Sequence, residues 1–175
     1  AGIILTNKKA VADRLRLLRN QGNKIKYRHE VIGYNHRLDT IQAAVLRVKL
    51  KYYDSWNARR REIAAFYNQK LTGLPQLKTP FVSADNIHIY HQYVLRLTHR
   101  SEEMMEFLRS KDIDSRVYYP IPLHLQKCFK YLGYKKGDFS ESEKAALETV
   151  AIPVYPDLTQ EEKEYIVSSI REFLK

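Results

Sequence analysis

Asn35 and Arg37 stand two residues apart in the stretch Tyr27-Arg28-His29-Glu30-Val31-Ile32-Gly33-Tyr34-Asn35-His36-Arg37-Leu38-Asp39. In an extended segment both side chains project to one side, and the helix that Asp39 opens places its N-terminus beside them. An amide donor, a guanidinium and a helix N-terminus together suit a phosphate. On pattern alone, a turn with solvated charges explains the stretch better. The two readings differ in whether the pair faces an anion or bulk water.

Two further segments carry more polar character than folding requires. In His88-Ile89-Tyr90-His91-Gln92-Tyr93 the histidines fall in a stretch that reads as a strand, which would send them to opposite faces. With no cysteine or carboxylate to complete a ligand set, packing explains them better than a metal. In Tyr118-Tyr119-Pro120-Ile121-Pro122-Leu123-His124-Leu125-Gln126, two tyrosines precede a rigid proline turn. They suit either the wall of a site, offering hydroxyls and ring faces, or an aromatic pair closing a sheet edge. His124 and Cys128 stand one helical turn apart, a spacing compatible with an activated thiol, but a lone pair of this kind is better read as coincidence.

The elements that must position these residues follow from periodicity. Gly2 to Thr6 reads as a strand already under way at Ala1, which needs pairing partners and suggests a sheet continuing upstream. Asn7 is the expected cap of a helix over residues 8–19, with Val11, Leu15 and Leu18 on its buried face. Gly22 suits the position after its end. Asp39 with Gln42 forms an acidic capping-box variant opening a long helical region. Its first stripe is Ile41, Ala44, Val45, Val48 and Tyr52; its second is Trp56, Ile63, Phe66, Tyr67 and Leu71. The face changes near Asp54, which sets a boundary between residues 1–53 and 54–175.

Beyond it, strands are expected over 88–97, 115–119 and 152–155. Helices are expected after Ser101, over 123–132, from a Ser140/Glu143 capping box to about Val150, and after a Thr159/Glu162 capping box. Strands interleaved with helices give an α/β layer packing.

Composition narrows the function classes. The chain has 175 residues, 44% hydrophobic and 29% charged, enough for one or two domains with a real core. Its single cysteine excludes an intrachain disulfide, and no apolar run approaches a membrane helix, so a cytoplasmic protein without a membrane partner is expected. A net charge of +10 points to acidic partners: nucleic acid, an anionic membrane or a phosphorylated small molecule. The densest basic stretch is Arg14, Arg16, Arg19, Lys24, Lys26 and Arg28. It runs from a helix into a loop, not along one helix face as a DNA reader would have it. Most other basic residues sit on helices mixed with glutamate, which reads as a solvated face.

Taken in order, several segments resemble the DegT-type nucleotide-sugar aminotransferases. They are Leu17-Leu18-Arg19-Asn20-Gln21-Gly22, then Gly33-Tyr34-Asn35-His36-Arg37-Leu38-Asp39 with Ile41-Gln42-Ala43-Ala44. Next come Tyr90-His91-Gln92-Tyr93-Val94 and Tyr119-Pro120-Ile121-Pro122-Leu123-His124-Leu125-Gln126. Gly137-Asp138-Phe139 and Pro153-Val154-Tyr155-Pro156 close the series. Each is weak alone; their order and spacing are specific, and they cover essentially the whole chain.

The resemblance implies the end of a large pyridoxal-phosphate-transferase domain over 1–53, including the start of a long connecting helix. Residues 54–175 would be the small C-terminal α/β domain, so that this stretch by itself is α+β. It implies pyridoxal 5'-phosphate as cofactor and transfer of an amino group from an amino acid, by family analogy glutamate, to the keto sugar of a nucleoside-diphosphate sugar. It further implies a homodimer with shared active sites. Asn35 aligns with an asparagine reaching the phosphate of the partner's cofactor, and Arg37 with an arginine near the nucleotide sugar. Tyr118 and Tyr119 match a pair lining the sugar site; Tyr118 replaces a histidine common in the family and looks similar to enzymes of 3-keto sugars. Tyr27 and His29 match a Tyr-x-His loop pattern common in the family and are candidate substrate contacts.

The lysine that carries the cofactor is expected upstream of Ala1, and Lys8 and Lys9 do not replace it. No catalytic residue and no metal ligand is therefore assigned, and this stretch alone is expected to be inactive. Two rival classes are a basic nucleic-acid-binding protein and a non-catalytic dimerisation or regulatory module of the same fold.

Overall fold

The last carbonyls of a helix have no partner within it, and here they organise everything that follows in the first part of the chain. The computed structural model describes residues 2–98 and 100–175. The chain divides into two compact units, Ala1–Tyr52 and Tyr53–Lys175.

In the first unit, helix α1 spans Lys9–Arg19. Its cap position is Lys8 and carries no side-chain cap bond, so the expected Asn7 cap does not form. Thr6 Oγ1 instead accepts the Lys8 amide at 3.2 Å. The expected opening strand is also absent: residues 2–6 form no ladder, and Ile3, Ile4 and Leu5 are exposed. Ala1 lies outside the described residues. On α1 the buried residue is Leu17, flanked by half-buried Leu15 and Leu18, while Val11 faces solvent.

The loop expected over 20–38 is built instead as a hairpin and a strap. Strand β1 (Asn23–Ile25) pairs antiparallel with β2 (Arg28–His29). The strap returns to α1. Gly22, Tyr34 and His36 donate their amides to the carbonyls of Leu17, Leu18 and Arg19 at 2.9, 2.7 and 3.0 Å. Gln21 donates to Tyr34 O at 2.8 Å, and Asn20 and Asn35 form an isolated bridge.

Only glycine fits where this strap meets the helix end. A Cβ on Gly22, at φ +73°, would lie 1.7 Å from Val31 O, and one on Gly33 would lie 2.2 Å from the Gly22 nitrogen.

Helix α2 (Thr40–Leu50) begins after Asp39, whose side chain makes no cap bond, and it buries none of its residues. The expected Ile41–Tyr52 stripe is therefore a surface stripe. The long helical region is two helices. Lys51 and Tyr52 tighten their bonds onto Val48 O and Lys49 O, and α3 (Tyr53–Leu71) starts anew.

The second unit has a continuous core. α3 buries Ile63, Ala64, Tyr67 and Leu71 on one face. Strands β3 (Leu77–Lys78), β4 (Tyr93–Leu97) and β5 (Thr149–Ile152) form an antiparallel sheet in the order β3-β4-β5, with Tyr93 opposite Ile152 and Leu77 opposite Leu97. β4 alternates in burial, with Tyr93, Leu95 and Leu97 inward. Helices α4 (Ser101–Ser110), α5 (Ser140–Glu148) and α6 (Gln160–Phe173) complete the unit, and Met104, Leu108, Ile166 and Ile170 join the core. The class is thus mixed helix and strand, in its α+β form.

Several boundaries differ from expectation for identifiable reasons. β4 starts at Tyr93 because Tyr90 sits at φ +48°, and His88 Nδ1 accepts the Tyr90 amide at 2.8 Å, folding that stretch into a turn. The two histidines are therefore not on opposite faces of a strand. Residues 115–119 contribute one bridge, Arg116 to Ala151, because Tyr119 lies at φ +66°. Residues 123–132 form two short 3-10 turns, Leu123–Leu125 and Lys127–Leu132, in place of one helix. β5 lies three residues earlier than expected. Ser101 does not cap α4; Arg100 holds the cap position, and the buried Ser101 hydroxyl donates to Leu147 O.

Candidate functional site

Asn35 and Arg37 sit on the strap that α1's carbonyls hold. Alternation along it puts Tyr34 and His36 together, their rings stacked with centroids 5.1 Å apart, and Asn35 with Arg37 on the other side. Arg37 Nε donates to Asn35 Oδ1 at 3.1 Å. A guanidinium can only donate, so the amide oxygen must face it and Asn35 Nδ2 is left as an outward donor. An amide N–H and a guanidinium presented side by side match an anionic oxygen cluster. These residues therefore fit the phosphate of a pyridoxal cofactor or of a nucleotide.

The neighbouring candidates are placed differently. Tyr27 turns the β1–β2 hairpin at φ +69°, its ring exposed and under the Lys26 ammonium at 5.0 Å. His29 Nδ1 lies 2.8 Å from Gln21 O, a carbonyl that can only accept, so Nδ1 carries the proton and Nε2 is left available. The structure shows His29 first of all as a tie within the hairpin.

In the second unit, three segments distant in sequence converge on one cavity of about 490 Å³, within the size range of small-molecule pockets. They bring His91 and Gln92, then Ser115, Arg116 and Tyr118, and Pro153 to Tyr155. α6 supplies Glu162 and Tyr165. Tyr118 lines the cavity; Tyr119, 74% exposed, does not. Burial and the neighbouring Glu162 carboxylate push the Tyr155 hydroxyl above the usual tyrosine range, so it stays a donor.

The walls are held by arginines that sequence reasoning assigned to a solvated helix face. Arg60 Nη1 donates to Val154 O at 2.6 Å, Tyr90 O at 3.2 Å and His91 O at 3.5 Å. Arg59 reaches Pro156 O and Leu158 O at 3.3 Å each. Tyr67 OH donates to Pro153 O at 2.9 Å and Tyr93 OH to Asn68 Oδ1 at 2.6 Å, and burial pushes both hydroxyls far above their ordinary range. No local pattern announces such partners, because the carbonyls they serve lie about 30 to 99 residues away. His124 and Cys128 form no thiol dyad: His124 Nε2 is bonded to Glu143 Oε1 at 2.9 Å, and Cys128 is exposed.

The DegT/DnrJ/EryC1/StrS aminotransferase family profile matches residues 1–171. The chain is 43% identical, over 99% of its length and 47% of the relative's, to a "Pleiotropic regulatory protein" of Geobacillus stearothermophilus. It is 38% identical, over 98% of its length and 46% of the relative's, to dTDP-3-amino-3,6-dideoxy-alpha-D-galactopyranose transaminase of Aneurinibacillus thermoaerophilus. Among solved structures it resembles S. venezuelae DesV in complex with a ketimine intermediate, with TM-score 0.93 and 35% identity, covering 98% of this chain and 46% of that one. The chain spans about half the length of the curated relatives it matches. With a profile match over nearly its whole length and the same fold, this chain belongs to the DegT/DnrJ/EryC1/StrS aminotransferase family.

Proposed function

We propose that this chain supplies part of a pyridoxal-phosphate aminotransferase that moves an amino group from an amino-acid donor, glutamate, to the keto sugar of a nucleoside-diphosphate sugar. The observation that carries this reading is the match along nearly the whole chain to a relative named as a transaminase of a dTDP-linked amino sugar. The outward Nδ2 of Asn35 and the guanidinium of Arg37 supply the donor set such anionic partners need.

In this reading Asn35 holds the cofactor phosphate across a homodimer interface, and Arg37 both fixes the Asn35 amide and attracts the nucleotide diphosphate. Tyr118 and Tyr119 face the sugar, with Tyr27 and His29 at its approach. When bound, pyridoxal phosphate supplies the electron sink that lets the amino group change carriers. The residues of this chain bind and orient; they neither break nor form the bonds to nitrogen. The lysine that carries the cofactor belongs to the part of the enzyme that this chain does not include, so the chain by itself does not turn over.

The basic stretch supports a small anionic ligand over nucleic acid. Arg14, Arg16 and Arg19 fan around α1, about 200° and 140° from the first by helical geometry. Arg16 and Lys24 are paired with Asp13 and Glu30 at 3.2 and 2.9 Å. The relative named as a regulatory protein favours one second reading, a regulatory module of the same fold.

The test is direct. In the enzyme containing this chain, Asn35→Ala lowers cofactor retention on dialysis by about tenfold, the loss of one charge-assisted bond. Arg37→Ala lowers nucleotide-sugar affinity in calorimetry by at least as much. Wild-type retention and affinity in both variants would remove the strap from the site, and failure of the unsubstituted enzyme to load cofactor would favour the regulatory reading.

A further inference from the structure

We propose that His124 and Glu143 form a latch that sets the pose of Tyr118 and Tyr119, making both positioning residues for the sugar. This rests on the reading that these tyrosines face the sugar. The segment carrying them has little regular structure of its own. At one end Arg116 and Ala151 exchange backbone bonds of 3.1 and 2.8 Å. At the other, His124 Nε2 meets Glu143 Oε1 at 2.9 Å. Between these anchors Tyr118 and Tyr119 make no ladder, and Pro120 and Pro122 stiffen the chain so that displacement of one end is passed along.

His124 is an outlier in its surroundings. Its side chain is 7% exposed, whereas its neighbours Leu123 and Leu125 are on the surface. Burying an imidazole while leaving two leucines in water is unfavourable unless the imidazole gains a partner worth more. That partner is held in turn: Glu143 Oε1 also accepts the Gly137 amide at 2.7 Å. The Phe139 ring covers His124 at 4.9 Å, and Tyr134 meets Phe139 edge-on at 5.0 Å. Facing a carboxylate, His124 Nε2 carries the proton and donates.

The second observation is where the Glu143 carboxylate goes. The expected capping box with Ser140 does not form, because Phe139 holds the cap position of α5 and Ser140 lies inside the helix. The carboxylate is bonded instead to the Gly137 amide and, across 19 residues, to the segment bearing the tyrosines.

The experiment uses His124→Ala, Glu143→Ala and Glu143→Gln. Glutamine keeps an acceptor for both His124 and Gly137, so it serves as the rescue. In the chain labelled on tyrosine rings, the alanine variants shift and broaden the Tyr118 and Tyr119 NMR signals. Those of the core residues Tyr67 and Tyr93 stay in place, and Glu143→Gln stays near wild type throughout. In the cofactor-loaded enzyme containing this chain, the alanine variants raise KM for the keto sugar about tenfold and leave KM for the amino-acid donor unchanged. Unmoved Tyr118 and Tyr119 signals overturn the latch. Moved signals with an unchanged sugar KM overturn the assignment of these tyrosines to the sugar, and the functional role of the latch with it.

Discussion

The two units solve the same problem of holding a polar segment in place by opposite means. Residues 53–175 are held by a core of fully buried side chains, among them Ile63, Tyr67, Tyr93, Leu95 and Leu108. In the first unit Leu17 is the buried hydrophobic residue, and α2 buries nothing. There the strap is held by amides bonded to the free carbonyls of α1 and by two glycines whose backbones touch. A side-chain core resists by packing, and its strength grows with area removed from water. A backbone clasp resists by geometry, and it opens more readily because little apolar surface has to meet water when it does.

The largest effect should come from breaking the packed unit. Leu108→Ala, at a fully buried position, lowers stability by about 2–5 kcal/mol in urea denaturation followed by the fluorescence of Trp56, the chain's single tryptophan. Leu17→Ala, in the clasped unit, costs about 1 kcal/mol, read from amide exchange at Tyr34 and His36. Equal losses would mean that the first unit is also held mainly by burial.

Gly22→Ala sharpens the contrast. The added methyl meets Val31 O, at a backbone φ that disfavours alanine, and the cost exceeds about 1 kcal/mol. Exchange of the Glu30, Tyr34 and His36 amides should accelerate, while amides of β4 keep their protection. Unchanged exchange at Tyr34 would show that the strap does not depend on the clasp.

The smallest effect is electrostatic. Glu143 is held below the usual glutamate range, first by the Gly137 amide and then by His124. A carboxylate depressed in the folded state contributes stability above its unfolded range and loses it as pH falls through the folded one. Acid titration should therefore destabilise wild type more than Glu143→Gln below the ordinary glutamate range, and identical acid profiles would remove Glu143 from the account.

What the sequence discloses depends on how far apart the partners stand. Thr159 and Glu162 form their capping box, with bonds of 3.2 and 2.7 Å, because Thr159 itself holds the cap position and both partners lie within one turn. Ser140 and Glu143 carry the same spacing and fail, because α5 starts one residue earlier with Phe139 at the cap position, and the Glu143 carboxylate bonds Gly137 and His124. Ile41 to Tyr52 reads as an apolar stripe yet lies on the surface, because periodicity reports an apolar face and not what covers it. The side-by-side placement of Asn35 and Arg37 was legible from alternation alone. The clamps of Arg59 and Arg60 were not, since a run of three arginines on a helix looks the same whether it meets water or distant carbonyls.

The close approach of Gly22 and Gly33 has one more consequence. Since main chain meets main chain there, nothing in that junction depends on what Tyr27, Ile32 or Tyr34 happen to be, and their rings and methyls largely face solvent. Residues on this hairpin can be exchanged to suit a different ligand without unfastening it, which makes it the natural place to begin any library aimed at new selectivity.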